Sequence, residues 1–140
     1  MVIRKAKKAD LLSLSRMTRK MWPDAKTSEI FVPKHHFYVA EQAGKLIAFI
    51  MLNARQDYVP GSSRSPVGYI EGIFVEKNWR KKNVGRLLVK AAEEWCREKG
   101  LNELGSDVKP GNKISQKFHS RVGFTREELV VPYIKKVRST

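Results

Sequence analysis

The chain has 140 residues, with 28 Lys and Arg against 14 Asp and Glu, for a net charge of +14. That length suits a single domain with a true apolar core. No apolar run approaches a bilayer span, the charged opening MVIRKAKKADLLSL does not suit a signal peptide, and the lone Cys96 excludes an internal disulfide framework or a cysteine-based metal cluster.

A cytoplasmic protein is expected. The basic surface suits an anionic partner, whether nucleic acid, a membrane surface or a phosphorylated cofactor, although a solvated surface accounts for most of such charge.

Val2–Ala6 reads as a first strand. Asp10 is a candidate N-cap for a helix on which Leu11, Leu14, Met17 and Met21 recur at helical spacing, until Pro23 stops it. Residues Trp22–His36 read as a loop with room for one helical turn. Phe37–Glu41 and Leu46–Ala54 are apolar runs joined by Gln42-Ala43-Gly44-Lys45, a hairpin signal. After a Gly, Pro and Ser-rich loop over Gln56–Pro66, Val67–Val75 reads as a long strand. Val84, Leu87, Leu88, Ala91, Ala92, Trp95 and Cys96 then trace one helix face, which Gly100 ends. Asn102–Asp107 reads as a short strand and Asn112–Val122 as a second amphipathic helix closed by Gly123. Thr125–Val131 and Tyr133–Val137 read as two last strands, or one strand bent at Pro132. There is no repeat, low-complexity tract or linker. The order predicts one mixed α/β (α+β) domain, residues 1–140, around a single sheet.

The segment Arg80-Lys81-Lys82-Asn83-Val84-Gly85 crowds cations into a turn just where the long helix begins. A helix N-terminus offers backbone N–H groups and the positive end of its dipole, so such a turn suits a phosphate. Neither the Gly-x-x-x-x-Gly-Lys-Ser/Thr nor the Gly-x-Gly-x-x-Gly pattern is present, which argues against ATP or a nicotinamide dinucleotide as the phosphate donor. A basic turn facing water is the plain alternative.

This segment resembles the Gln/Arg-x-x-Gly-x-Gly/Ala turn of the GNAT acetyltransferases, with Asn83 where that superfamily usually has its first glycine. Asparagine tolerates a left-handed backbone, so the turn remains feasible. Asn112-Lys113-Ile114-Ser115-Gln116-Lys117-Phe118-His119, followed by Gly123-Phe124, resembles the superfamily's Asn-x-x-Ala/Ser-x-x-x-Tyr helix and its Gly-Phe. The resemblance implies a mostly antiparallel central sheet flanked by helices. It also implies that acetyl-coenzyme A binds along Ile73, Phe74 and Val75, where a β-bulge would expose backbone N–H donors to the thioester oxygen. The turn Arg80, Lys81, Lys82, Asn83, Val84, Gly85 and Arg86 would take its pyrophosphate, and Asn112, Ser115 and His119 its pantetheine arm and sulfur.

Asp57-Tyr58-Val59-Pro60-Gly61, Ser65-Pro66-Val67, Glu71-Gly72-Ile73-Phe74-Val75, Ser106-Asp107, Ile114-Ser115-Gln116-Lys117 and Trp22-Pro23 look like the aminoglycoside 6'-N-acetyltransferases. That implies a small-molecule amine as acceptor and a homodimer; with no recognition-helix pattern, no aromatic-basic alternation and no bilayer-length apolar run, no nucleic-acid or membrane partner is expected. The stretch from Pro23 to Phe37 departs from the pattern, because Lys26, Lys34, His35 and His36 make it basic where those enzymes are often acidic. A polyamine, a peptide N-terminus or a protein lysine is therefore the alternative acceptor.

Acyl transfer to an amine requires loss of the amine's proton, polarisation of the thioester and stabilisation of the leaving thiolate. Glu71 and Asp107 are the candidates for holding the amine and serving as base, with no choice between them as base. His119 and Tyr133 are the candidate proton donors to the sulfur. Trp22 and Tyr58 are expected to line the acceptor cleft. His35-His36 is too short a cluster for zinc, and no metal is expected.

Overall fold

A computed structural model of the chain describes residues 1–127 and 131–137. Five strands form one sheet in the order β1-β2-β3-β4-β5: Val2–Lys5, His36–Gln42, Lys45–Arg55, Val67–Val75 and Leu104–Gly105. The first four run antiparallel to their neighbours, and β5 runs parallel to β4. The helices are α1 (Leu11–Met21), α2 (Thr27–Ile30), α3 (Val84–Glu98) and α4 (Lys113–Arg121).

The β2–β3 hairpin forms where the sequence signals it. Ala43 and Gly44 both take left-handed backbone, at φ 51° and 78°, which lets a two-residue turn match the strand twist. Asp10 does stand at the N-cap of α1, but its side chain caps nothing there. Instead Arg4 grips both of its oxygens at 2.7 and 2.9 Å, and the Lys7 backbone N–H adds a third bond. This ties β1 to the turn entering α1.

Both faces of the sheet are covered. On one, Val84, Leu88, Val89, Ala92, Trp95 and Cys96 of α3 pack on Ala40, Ile50, Leu52 and Ile70. Within the expected α3 face, Leu87 points outward and is 40 % exposed, and Val89 takes the buried position. On the other face, Leu14 and Met17 of α1 and Ile30 of α2 pack on Val39, Phe49 and Met51. Gly68 allows α3 to approach β4, since a Cβ there would strike the Cys96 sulfur. Burial pushes the Cys96 thiol up to about 11, so it stays protonated at neutral pH and is a packing residue.

Two expectations need correction. The strand expected over Asn102–Asp107 shrinks to Leu104–Gly105, because β5 meets β4 only opposite Gly68 and Tyr69 and then diverges. Of the closing strands expected over Thr125–Val131 and Tyr133–Val137, the described residues 125–127 and 131–137 are irregular and form no strand, and residues 128–130 lie outside the described set. Apolar residues make a strand only beside a partner, and here Val131, Tyr133, Ile134 and Val137 are all well exposed.

Candidate active site

The divergence of β5 leaves the C-terminal half of β4 without a neighbour on that side. A bulge lies in the same stretch. Met51 pairs with Gly72 and Leu52 with Ile70, which makes Glu71 the extra residue on β4. The bulge shifts the pleat by one. Tyr69 and Glu71 face the side away from α3, Gly72 joins them against Trp22, and Ile73 and Val75 return to the α3 side with Ile70. One inserted residue thus aims a carboxylate to one side of β4 and an open apolar edge to the other. The sequence reading placed a bulge near Phe74 and Val75; the structure puts it at Glu71.

Along that edge runs a cleft of about 450 Å³, floored by Ile73, Phe74 and Val75 and walled by α3 and α4. Arg80, Lys81, Asn83, Val84, Gly85 and Arg86 line it as expected, and Trp79, Phe118, Arg121 and Val122 join them. The turn is built from unusual backbone. Lys81 and Asn83 have φ of 61° and 65°, left-handed values for which non-glycine residues carry some strain. Asparagine at the fourth position of the turn therefore does what the missing glycine would do, and Lys81 shares the conformation without any signal in its residue type. The Asn83 side chain does not cap α3, so the first-turn amides keep their donors for a ligand. Arg80 fastens the turn by donating from Nε to the Val75 carbonyl at 2.8 Å. Lys82 holds its ammonium 5.2 Å from the Trp79 ring centre, outside the cleft lining. Gly85 lets the helices meet, because a Cβ there would come 2.9 Å from the Phe118 ring. Arg86 links α3 to α4 by donating to the Arg121 carbonyl at 3.3 Å.

The expected residues of α4 are engaged inside the protein. Asn112 caps the helix, its Oδ1 accepting from the Ser115 N–H at 3.1 Å. His119 places Nδ1 2.7 Å from the Ser115 carbonyl and Nε2 2.8 Å from the Ser106 hydroxyl. A carbonyl only accepts, so Nδ1 carries a proton, and Nε2 is taken up by the Ser106 hydroxyl. Neither nitrogen is left over as a ready donor to a sulfur.

Across β4 the second group assembles. Arg55 donates to both oxygens of Glu71, from Nε at 2.9 Å and from its terminal nitrogen at 2.6 Å, and Asn53 adds a bond at 3.2 Å. Burial pushes the Glu71 carboxyl up. The hydrogen bonds and charge of Arg55, the Asn53 bond and the charge of His35 outweigh burial and hold it below the usual carboxylate range. The Arg55 guanidinium also lies 3.5 Å over the Tyr69 ring, whose hydroxyl donates to Asp107 at 2.5 Å. Burial and then the Asp107 bond raise the Tyr69 hydroxyl, which stays protonated.

Glu71 and Asp107 are therefore joined through Arg55 and Tyr69. Trp22 stands beside them, so close to Gly72 that a Cβ there would strike its ring. Tyr58 is 75 % exposed in the loop before β4, and Tyr133 is 93 % exposed on irregular chain. Of the two histidines at the start of β2, His36 turns to the opposite face and packs 5.5 Å from the Trp95 ring, and His35, just ahead of the strand, reaches the Ile30 carbonyl at 2.8 Å. Arg55, Asn53 and Tyr69 escaped the sequence reading. Their one signal was polar residues at alternate positions, Asn53 and Arg55, ending an otherwise apolar strand.

The family model described as "Acetyltransferase (GNAT) family" matches residues 9–124. The aminoglycoside N(6')-acetyltransferase type 1 of Salmonella enteritidis is 35 % identical over 97 % of this chain and 99 % of its own length. The enzyme of the same name from Stenotrophomonas maltophilia is 33 % identical over 92 % and 89 %. Among solved structures, AAC(6')-Iy in complex with the bisubstrate analogue CoA-S-monomethyl-acetylneamine superposes with a TM-score of 0.89 at 33 % identity, covering 97 % of this chain and 98 % of that one. The apo AAC(6')-IG of Acinetobacter haemolyticus gives 0.88 at 30 % identity over 99 % and 100 %. An open strand edge beside an amide-rich basic turn, matched over nearly the whole chain by proteins of this kind, places the chain in the GNAT acetyltransferase family.

Proposed function

We propose that the protein transfers an acetyl group from acetyl-coenzyme A to the 6'-amine of an aminoglycoside. The observation that carries this is the position of the Glu71, Arg55, Tyr69 and Asp107 cluster on the far side of β4, just before the Ile73–Val75 stretch that lines the cleft. Near full-length relatives named for this activity support the acceptor, and the neighbour holding a joined coenzyme and neamine analogue supports the pairing of the two substrates.

In this reading the coenzyme pyrophosphate takes the uncapped amides of α3 and the cations of the Arg80–Arg86 turn. The pantetheine arm follows Ile73–Val75, whose outward N–H groups polarise the thioester carbonyl as an oxyanion hole does. Amine, acetyl carbon and thiolate meet in one ternary complex, and the amine attacks directly with no acyl-enzyme.

Glu71, kept ionised by Arg55, is the anchor for the acceptor ammonium. A carboxylate held below its usual range is a weak base, so Asp107 is the proton acceptor, directly or through water. The proton returned to the thiolate comes from His119 when its Nε2 carries a proton, or from Tyr133. A cytoplasmic homodimer belongs to the same reading; among the described residues no helix is long and apolar enough to cross a membrane.

The test is thiol release with neamine, a polyamine and a peptide amine as parallel acceptors. The reading expects neamine to be favoured by kcat/KM, with product analysis placing the acetyl group on the 6'-nitrogen. Preference for the polyamine or the peptide would move the activity to another acceptor of the same family. Light scattering checks the dimer.

A further inference from the structure

A carboxylate offers about four lone-pair directions. At Glu71, Arg55 Nε and Asn53 take Oε2, and the second Arg55 nitrogen takes one side of Oε1. One direction, on Oε1, remains. The Glu71 side chain is 15 % exposed and that of Arg55 is 37 % exposed, so the guanidinium covers the carboxylate from its wetter side. The same guanidinium rests on the Tyr69 ring, and Tyr69 holds Asp107. Arg55 thus holds Glu71 directly and reaches Asp107 through Tyr69.

We propose that Arg55 is a positioning residue for the acceptor: it clamps Glu71 so that a single lone pair receives the reacting amine, and it cancels one of the two negative charges there. This rests on the reading above, in which the acceptor amine meets Glu71. The clamp makes the cluster select by direction more than by charge. Without Arg55 the Glu71 side chain would be free to turn away from the acceptor, and its charge would hold an amine in no fixed direction. With Arg55 the cluster keeps one net negative charge and admits the amine along one line beside the thioester. A lysine cannot replace it, since an ammonium has no planar fork to hold two oxygens at once.

The groups facing Glu71 are Asn53 and Arg55 from β3, Tyr69 from β4, Asp107 beyond β5 and His35 ahead of β2. Removing the guanidinium leaves burial to dominate, so the acid limb of kcat/KM moves to higher pH.

The experiment measures kcat and KM for neamine with acetyl-coenzyme A in the wild type, Arg55→Ala and Arg55→Lys, with melting temperatures and calorimetric coenzyme A binding alongside. Both variants are expected to raise the neamine KM, by tenfold or more for Arg55→Ala and at least threefold for Arg55→Lys. Coenzyme A affinity should stay within twofold. Added methylguanidine should lower the Arg55→Ala KM, and the acid limb should move up in pH. Should Arg55→Ala fail to fold, Arg55→Lys carries the test through its KM. An unchanged or lower KM in a folded variant overturns the clamp, a lower one making Arg55 a competitor for the acceptor site. A wild type that transfers nothing to neamine fails the functional reading instead, so the two failures are distinct.

Discussion

On one side of β4 lies a cleft made chiefly of backbone: an open strand edge, two left-handed residues and an uncapped helix start. On the other side lies a cluster made of side chains, each held by another: Arg55 on Glu71, Arg55 on Tyr69 and Tyr69 on Asp107. Backbone donors survive most substitutions, because every residue but proline supplies an N–H. Side-chain networks do not, since removing one member strands the others. The cofactor half should therefore tolerate sequence change except where shape or charge is altered outright, and the acceptor half should fail at single positions.

The largest effect is expected in the side-chain half. Asp107→Asn should lower kcat about 100-fold, the scale of a lost general base. Glu71→Gln should act mainly on the neamine KM, because it leaves the proton acceptor in place. Steady-state kinetics separate the two, and a kcat loss confined to Glu71→Gln would exchange their roles.

In the cleft the vulnerable point is Gly85. A larger residue must push against Phe118, which approaches to 2.9 Å of the missing Cβ. Gly85→Val should weaken coenzyme A binding about tenfold or more by calorimetry, as overpacking parts the two helices. Lys82→Glu should do less, about three- to tenfold, because the charge stands at the rim in water, and the loss should shrink at high salt.

A position outside both halves sets the baseline. The Asp10 carboxyl is held down to about 2 by its bonds from Arg4, against opposing burial and with help from the Lys7 N–H. Its unfolded value is about 3.9, so the folded group is the stronger acid. The stabilisation is therefore fully present above about pH 4 and is lost as pH falls through about 2. Asp10→Asn should cost about 1–2 kcal/mol at neutral pH, with less difference from wild type near pH 2, and should leave kcat and KM alone. Denaturant unfolding at pH 7 and pH 2 measures it.

What the sequence disclosed follows the same division. The phosphate turn, the hairpin and the α3 face are written in contiguous residues, so spacing and residue type suffice to read them. Even the left-handed Asn83 was readable, because asparagine is one of few side chains suited to it. Arg55 and Glu71 are separated by 16 positions, and Tyr69 and Asp107 by 38. Such pairs depend on register, and the register here turns on one extra residue at Glu71. His119 shows the opposite case. Its motif position suggested a ready donor, but bonds to Ser106 and Ser115 occupy both nitrogens. Strands after α4 were expected from local residue type, which says nothing about whether an edge is there to pair with.

Crystals soaked with coenzyme A give the most direct test. The pyrophosphate should lie within hydrogen-bond distance of the backbone N–H groups at the start of α3, with the thiol against Ile73–Val75 on the side nearer Glu71 and Asp107. Coenzyme bound away from the Arg80–Arg86 turn, or with its sulfur directed away from both carboxylates, would contradict the placement of the active site.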